Sequence, residues 1–178
     1  MDFFPAPAPS FHDPIGLLRA CHEKMLQHML TLERLPTHLE QHGADADFAQ
    51  VAMRVLRYFD EAAPAHHMDE EATLFPWLLA HPGLSAASRS TLQRLRHQHT
   101  ELEQNWHDLA CDLRHVLTKS VVCPLRLEPF LSSNRAHLLC ENTEIFPLAE
   151  ALLDPETAKE LGTAMQRRRM ASSSPGGV

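Results

Sequence analysis

The stretch TLQRLRHQHTELEQNWHDLACDLRHV, Thr91 to Val116, decides the fold. Leu92, Leu95, His99, Leu102, Trp106, Leu109, Leu113 and Val116 follow one another by alternating steps of three and four. An unbroken pattern of that kind is the seam of a long helix packed along its length in a bundle. One member of the seam is a histidine, His99. The other histidines of the stretch, His97, His107 and His115, fall off the seam and are expected in solvent.

Outward from this helix, the composition agrees. The 178 residues include 27 Leu and 21 Ala but only 6 Val, 2 Ile and 1 Tyr, a stock of helix formers with few strand formers. The length fits one domain, with a core that needs no disulfide or structural metal to hold it. A net charge of −7 argues against a nucleic-acid partner. Arg167-Arg168-Arg169 is the one basic run, and beside Ser172 to Val178 it reads as a fraying terminus. No apolar run approaches the ~18 residues of a membrane span. Met1-Asp2-Phe3-Phe4-Pro5 lacks the features of a signal peptide, so the expected compartment is the cytoplasm. Cys21, Cys111, Cys123 and Cys140 form no C-x-x-C pair and read as free thiols.

Start and stop signals place the other helices. Residues 1–12, with Pro5, Pro7 and Pro9, read as an extended arm. Asp13 caps a first helix with Pro14 at its first position, running to about His42 and ending at Gly43. A second helix begins near Ala44–Asp47, is kinked at Pro64 and stops at His81-Pro82-Gly83. Ser85 caps the third helix, which reaches about Lys119. The β-branched stretch from Ser120 to Cys123 leads through Pro124 into a fourth helix ending near Leu153. Asp154-Pro155 opens a short fifth helix within 154–170, and 171–178 read as a disordered tail. The expected fold is all-α: an antiparallel up-down-up-down four-helix bundle over 13–153, with the short fifth helix at its C-terminus.

The seam test singles out polar residues on the other helices too. Leu18, His22, Met25, Met29 and Leu32 form one stripe, with His28 off it. Phe59, Ala63, His67, Glu71, Leu74 and Leu78 form a second. Phe130, Asn134, His137, Glu141 and Leu148 form a third. His22 and His67 each lie about 22 residues from the first turn, and His67 and His99 each about 16 from the second, so they sit at one level. Four imidazoles and two carboxylates are costly in an apolar core unless paired or bound to something. The bland reading is a buried His–Glu hydrogen-bond network. The sharper one is a metal site of His22, His67, Glu71, His99, His137 and Glu141, a donor set suited to Fe, Mn or Zn. His66 and Glu70 form a rival i,i+4 pair beside His67 and Glu71, and spacing alone leaves that choice open.

Together with "DPIGLLRACHEKM", "HHMDEEATLFPWL" and "HLLCENTEIFPLAE", this pattern resembles the hemerythrin-like HHE cation-binding domain over roughly 13–153. The resemblance implies two carboxylate-bridged iron ions with terminal His ligands, and a small diatomic or peroxide as the molecule bound. Oxygen-carrying members have a second His one turn after the third-helix ligand; here that position is Glu103. This departure favours sensing, storing or reacting with O2, peroxide or NO over reversible carriage. It leaves open whether Glu103, His66 or Glu70 completes the site. The alternatives are iron storage or buffering, a non-metal helical interaction module, and iron–sulfur cluster repair. Against repair, the arm before the first helix has no Cys.

Overall fold

The computed structural model describes residues 10–119 and 123–172. They are helical throughout apart from short turns, and no strand occurs among them. Helices α1 (Pro14–Leu32) and α2 (Leu35–His42) stand where one helix was expected. The break precedes Pro36, whose ring would strike the carbonyl of Leu32 and which offers no N–H to it. The expected caps are present. Asp13 Oδ1 accepts from Gly16 N at 2.8 Å, and α2 ends at Gly43, the one glycine at positive φ among the described residues (70°).

The second helix is continuous from residue 46 to residue 80, but not uniform. It comprises α3 (Ala46–Arg57), α4 (Ala63–Asp69) and α5 (Phe75–Ala80), joined by π-helical turns at Tyr58–Ala62 and Glu70–Leu74. Helix α6 (Ala86–Lys119) is the long third helix, capped by Ser85 Oγ, which accepts from Ser88 N at 3.0 Å. The fourth comprises α7 (Leu127–Cys140) and α8 (Phe146–Leu152), joined by a π turn at Glu141–Ile145. Each π turn closes one residue before a proline: Ala63-Pro64, Phe75-Pro76, Phe146-Pro147. The closing N–H bonds five residues back, to Tyr58, Glu70 or Glu141 O. Widening the turn to take in one more residue relieves the proline's clash without ending the helix. The expected kink at Pro64 is thus a widened turn. Two of the three π turns begin at a buried glutamate, Glu70 and Glu141.

The α6 seam is buried as expected, Leu92, Leu95, His99, Leu102, Leu109, Leu113 and Val116 being at most 3 % exposed, with Trp106 half-buried. His97, His107 and His115 are exposed. The apolar core is in two parts. One gathers Met25, Met29, Phe48, Phe59, Leu109 and Phe130 with their neighbours. The other gathers Ile15, Leu18, Phe75, Leu95, Ile145 and Phe146 with theirs. Between them along the helices lies a polar layer: His22 follows Leu18, His66 and Glu70 precede Leu74, and Glu141 precedes Ile145.

The C-terminal helix α9 (Pro155–Ser172) is longer than expected, and Ala171 and Ser172 belong to it, not to the tail; residues 173–178 and 1–9 lie outside the described part. Nor do its arginines fray. Arg168 Nη1 donates to Asp69 Oδ1 at 2.8 Å, Arg169 Nε to Asp69 Oδ2 at 2.7 Å, and Arg168 Nη2 to Thr73 Oγ1 at 2.7 Å. Asp69 is fully buried. Together with buried Met165, this clamp seats α9 against α1 and the Glu70–Leu74 turn. No helix among the described residues is long and apolar enough to cross a membrane.

Candidate metal centre

Four helices each deliver an imidazole to the polar layer: His22 from α1, His66 from α4, His99 from α6 and His137 from α7. They meet in two pairs. His22 Nε2 and His66 Nε2 are 3.0 Å apart, and His99 Nε2 and His137 Nε2 are 3.1 Å apart. Two nitrogens bound to one metal at about 2.1 Å and near right angles would stand about 3.0 Å apart, so each pair has the spacing of adjacent ligand positions.

Two carboxylates lie between the pairs. Glu70 Oε1 is 3.3 Å from His66 Nε2 and 3.9 Å from His22 Nε2, while its Oε2 is 3.5 Å from His99 Nε2. Glu141 Oε2 is 3.3 Å from His22 Nε2, and its Oε1 is 3.1 Å from His137 Nε2. Each glutamate therefore turns one oxygen toward each imidazole pair. The ligand atoms make two overlapping groups, His22, His66, Glu70 and Glu141, and Glu70, His99, His137 and Glu141, each within 4.8 Å. All these residues are buried. None of the four carboxylate oxygens accepts a well-directed hydrogen bond, although imidazole nitrogens lie close. Orphaned acceptors in a core are expensive, and a shared cation satisfies all four at once. The residues fit a metal.

The outer face of three of the four rings explains why their Nε2 atoms point inward; the buried Nδ1 of His66 has no hydrogen-bond partner. His22 Nδ1 bonds Asn142 Oδ1 at 3.0 Å, His99 Nδ1 bonds Glu71 Oε1 at 2.6 Å, and His137 Nδ1 bonds Gln98 Oε1 at 3.2 Å. An oxygen acceptor at Nδ1 holds the proton there and leaves the Nε2 lone pair free to bind. Burial pushes His66 well below the ordinary imidazole range, and His99 down to about 4, so both stay neutral. Burial, reinforced by the nearby Glu141 charge, raises Glu70 well above the carboxylate range. Burial also acts to raise Glu141, but His137 and His22 outweigh it and hold this group well below that range. Without a cation, one of the two carboxyls keeps its proton and the other is ionised. Binding a cation would expel that proton.

Of the six residues expected from the sequence, His22, His99, His137 and Glu141 are brought together. His67 and Glu71 are in neither group; the positions are taken by their neighbours His66 and Glu70. The expected stripe runs from Phe59 to Glu71 in three steps of four, about one residue ahead of the 3.6-residue period. The wide turn at Tyr58–Ala62 makes up only part of that lead. Neighbouring residues on a helix point about 100° apart. His67 and Glu71 accordingly turn toward α6: His67 stacks on His99 with ring centroids 4.1 Å apart, and Glu71 accepts from His99 Nδ1. Glu103 is exposed and joins neither group. The supporting residues Asn142 and Gln98 carry no spacing signal beyond their place beside Glu141 and His99.

A helical bundle whose core holds two overlapping His/Glu groups defines a class of cation-binding protein. The hemerythrin HHE cation-binding domain matches residues 13–149, and the chain belongs to that family. It is also similar to an uncharacterized protein of Haemophilus influenzae, at 29% identity over 162 residues, covering 90% of this chain and 92% of the relative. Helix α9 follows the matched region.

Proposed function

We propose that the protein is a non-haem di-iron protein of hemerythrin type that senses, stores or reacts with O2, peroxide or NO. The observation that carries this reading is the pair of glutamates, each with one oxygen toward each imidazole pair. One metal would be held by His22 and His66, the other by His99 and His137, with Glu70 and Glu141 bridging. Each ion would have two imidazoles and two carboxylate oxygens as donors, fewer than the six that iron can take, which supports a reactive or ligand-binding centre. Iron held there would supply reversible one-electron chemistry toward a small molecule. Mn or Zn would suit the same donors.

The chain's own residues define the surroundings. His66 and His99, kept neutral by burial, present lone pairs without first losing a proton. The two flanking apolar clusters keep bulk water from the centre. The expected up-down-up-down order of four helices, with α9 added as a fifth, is the arrangement in which four strands of ligands converge from four sides.

The test is anaerobic purification of iron-loaded protein, iron analysis, and an optical spectrum before and after O2, peroxide or NO. About two irons per chain and a new charge-transfer band support the reading. Iron without any spectral response would favour storage.

A further inference from the structure

A small recess lies on the α6 side of the centre, outside both ligand groups. Its volume is about 70 Å³, and it is walled by Phe59, Ala63, Leu102 and Phe130, with His67, Asn134, Trp106, Pro64 and Glu103 completing it. On this measure one water molecule needs only about 10–15 Å³, so the recess has room for a molecule of a few heavy atoms. The walls are mostly apolar, with exposed Glu103 and half-buried Trp106 among them. Trp106 is held in place by Nε1, which donates to Asp60 Oδ1 at 3.0 Å.

His67 links this recess to the centre. It lines the recess, is 9 % exposed, and its buried Nδ1 has no hydrogen-bond partner. Its ring stacks on His99 at 4.1 Å between centroids and stands 6.2 Å, edge-on, from His137. A single imidazole ring thus separates the recess from the His99–His137 pair.

We propose that the recess is a binding point for a small uncharged molecule of diatomic size, from which it reaches the His99–His137 side of the centre past His67. This rests on the metal reading above for its consequence, but the recess can be tested without metal. The walls are mostly apolar, so they suit a neutral molecule better than an ion stripped of its water. Glu103 is the only formally charged residue among the walls, and the whole chain carries −7, so an anion is repelled where a neutral molecule is not. The carboxylate one turn beyond His99 therefore works as a charge filter on the recess, not as a ligand.

The experiment begins with metal-free protein carrying Trp77→Phe, which leaves Trp106 as the sole tryptophan. Xenon, an apolar atom of suitable size, should quench Trp106 emission saturably. Ala63→Leu, which fills the recess from within, and Glu103→Phe, which covers it from the exposed side, should each remove the saturable part. If Ala63→Leu does not fold, Glu103→Phe at an exposed position still gives the answer. Iodide should quench weakly until Glu103→Gln removes the charge, while xenon quenching stays as it was. With iron-loaded protein, the variant that loses xenon binding should react with O2 at least tenfold more slowly at unchanged iron content. Linear, non-saturable xenon quenching in the parent protein would overturn the recess. Lost xenon binding with an unchanged O2 rate would overturn its role. Failure to bind iron would instead sink the metal reading and leave the xenon result standing.

Discussion

Removing the two arginines that hold Asp69 should destabilise the metal-free protein by about 3 kcal/mol. Asp69 is fully buried and bonded by Arg168 Nη1 and Arg169 Nε at 2.8 and 2.7 Å, while the arginine side chains are 25% and 28% exposed. Breaking a buried ion pair by deleting one side typically costs ~3–5 kcal/mol, because the other charge is left in the core. Partial exposure of the arginines puts the expectation at the lower end. With both arginines gone, burial alone acts on Asp69 and raises it further, so uptake of a proton caps the cost, a second reason to place the expectation at the lower end. With a urea slope of about 2 kcal/mol/M for a chain of this size, Arg168→Met with Arg169→Met should lower the unfolding midpoint by about 1.5 M. The assay is urea unfolding followed by circular dichroism, without metal so that ligand linkage does not mask the loss. Adding Asp69→Asn to the double variant should recover at least about 1 kcal/mol, since an amide costs less to bury than an unpaired carboxylate. A midpoint shift under about 0.3 M, roughly a fifth of that expected, would show that the clamp contributes nothing and refute the reasoning.

Three further outcomes follow from the site. His66→Ala and Glu70→Ala should each remove at least half of the bound metal, while His67→Ala and Glu71→Ala should reduce the content by less than about a quarter, by elemental analysis. His99→Ala should abolish or halve metal binding and His97→Ala should not, because only His99 is on the buried face. Metal-free protein should lose stability as pH falls from about 6.5 to 4, by roughly 3 kcal/mol from His99 alone. Above that window neither state of His99 is protonated; within it the unfolded chain takes up a proton that the folded core refuses. His66 and His67 are lowered by burial and act in the same direction, while Glu70, raised by burial, opposes them with one proton. Urea midpoints measured across this range check the sign.

The sequence makes three of the four ligand helices legible for a physical reason. On α1, α6 and α7 a single histidine stands on the buried stripe, so position separates His22, His99 and His137 from their neighbours. The second helix offers two adjacent pairs at the same spacing, His66/Glu70 and His67/Glu71, and only the rotation of the helix decides between them. That rotation depends on the π turns, which in turn answer to Pro64 and Pro76. The break between α1 and α2 was signalled by Pro36, but the apolar pattern runs on through Leu32, Leu35 and Leu39 and hides it. Arg168 and Arg169 read as a fraying end because their partner, Asp69, lies about a hundred positions away. No local pattern reports a contact of that length. Glu103 illustrates the converse: its spacing from His99 suggested a ligand, and its exposed position shows a wall of the recess.

The central claim is that two glutamates tie two imidazole pairs into a two-metal centre. The measurement that tests it most directly is iron per chain, by elemental analysis of protein loaded anaerobically with ferrous iron and freed of excess. The account predicts close to two irons for the wild type, with Glu70→Ala and Glu141→Ala each falling to one or fewer. An ordered helical protein that binds no iron, or that keeps two irons when both glutamates are removed, would contradict it.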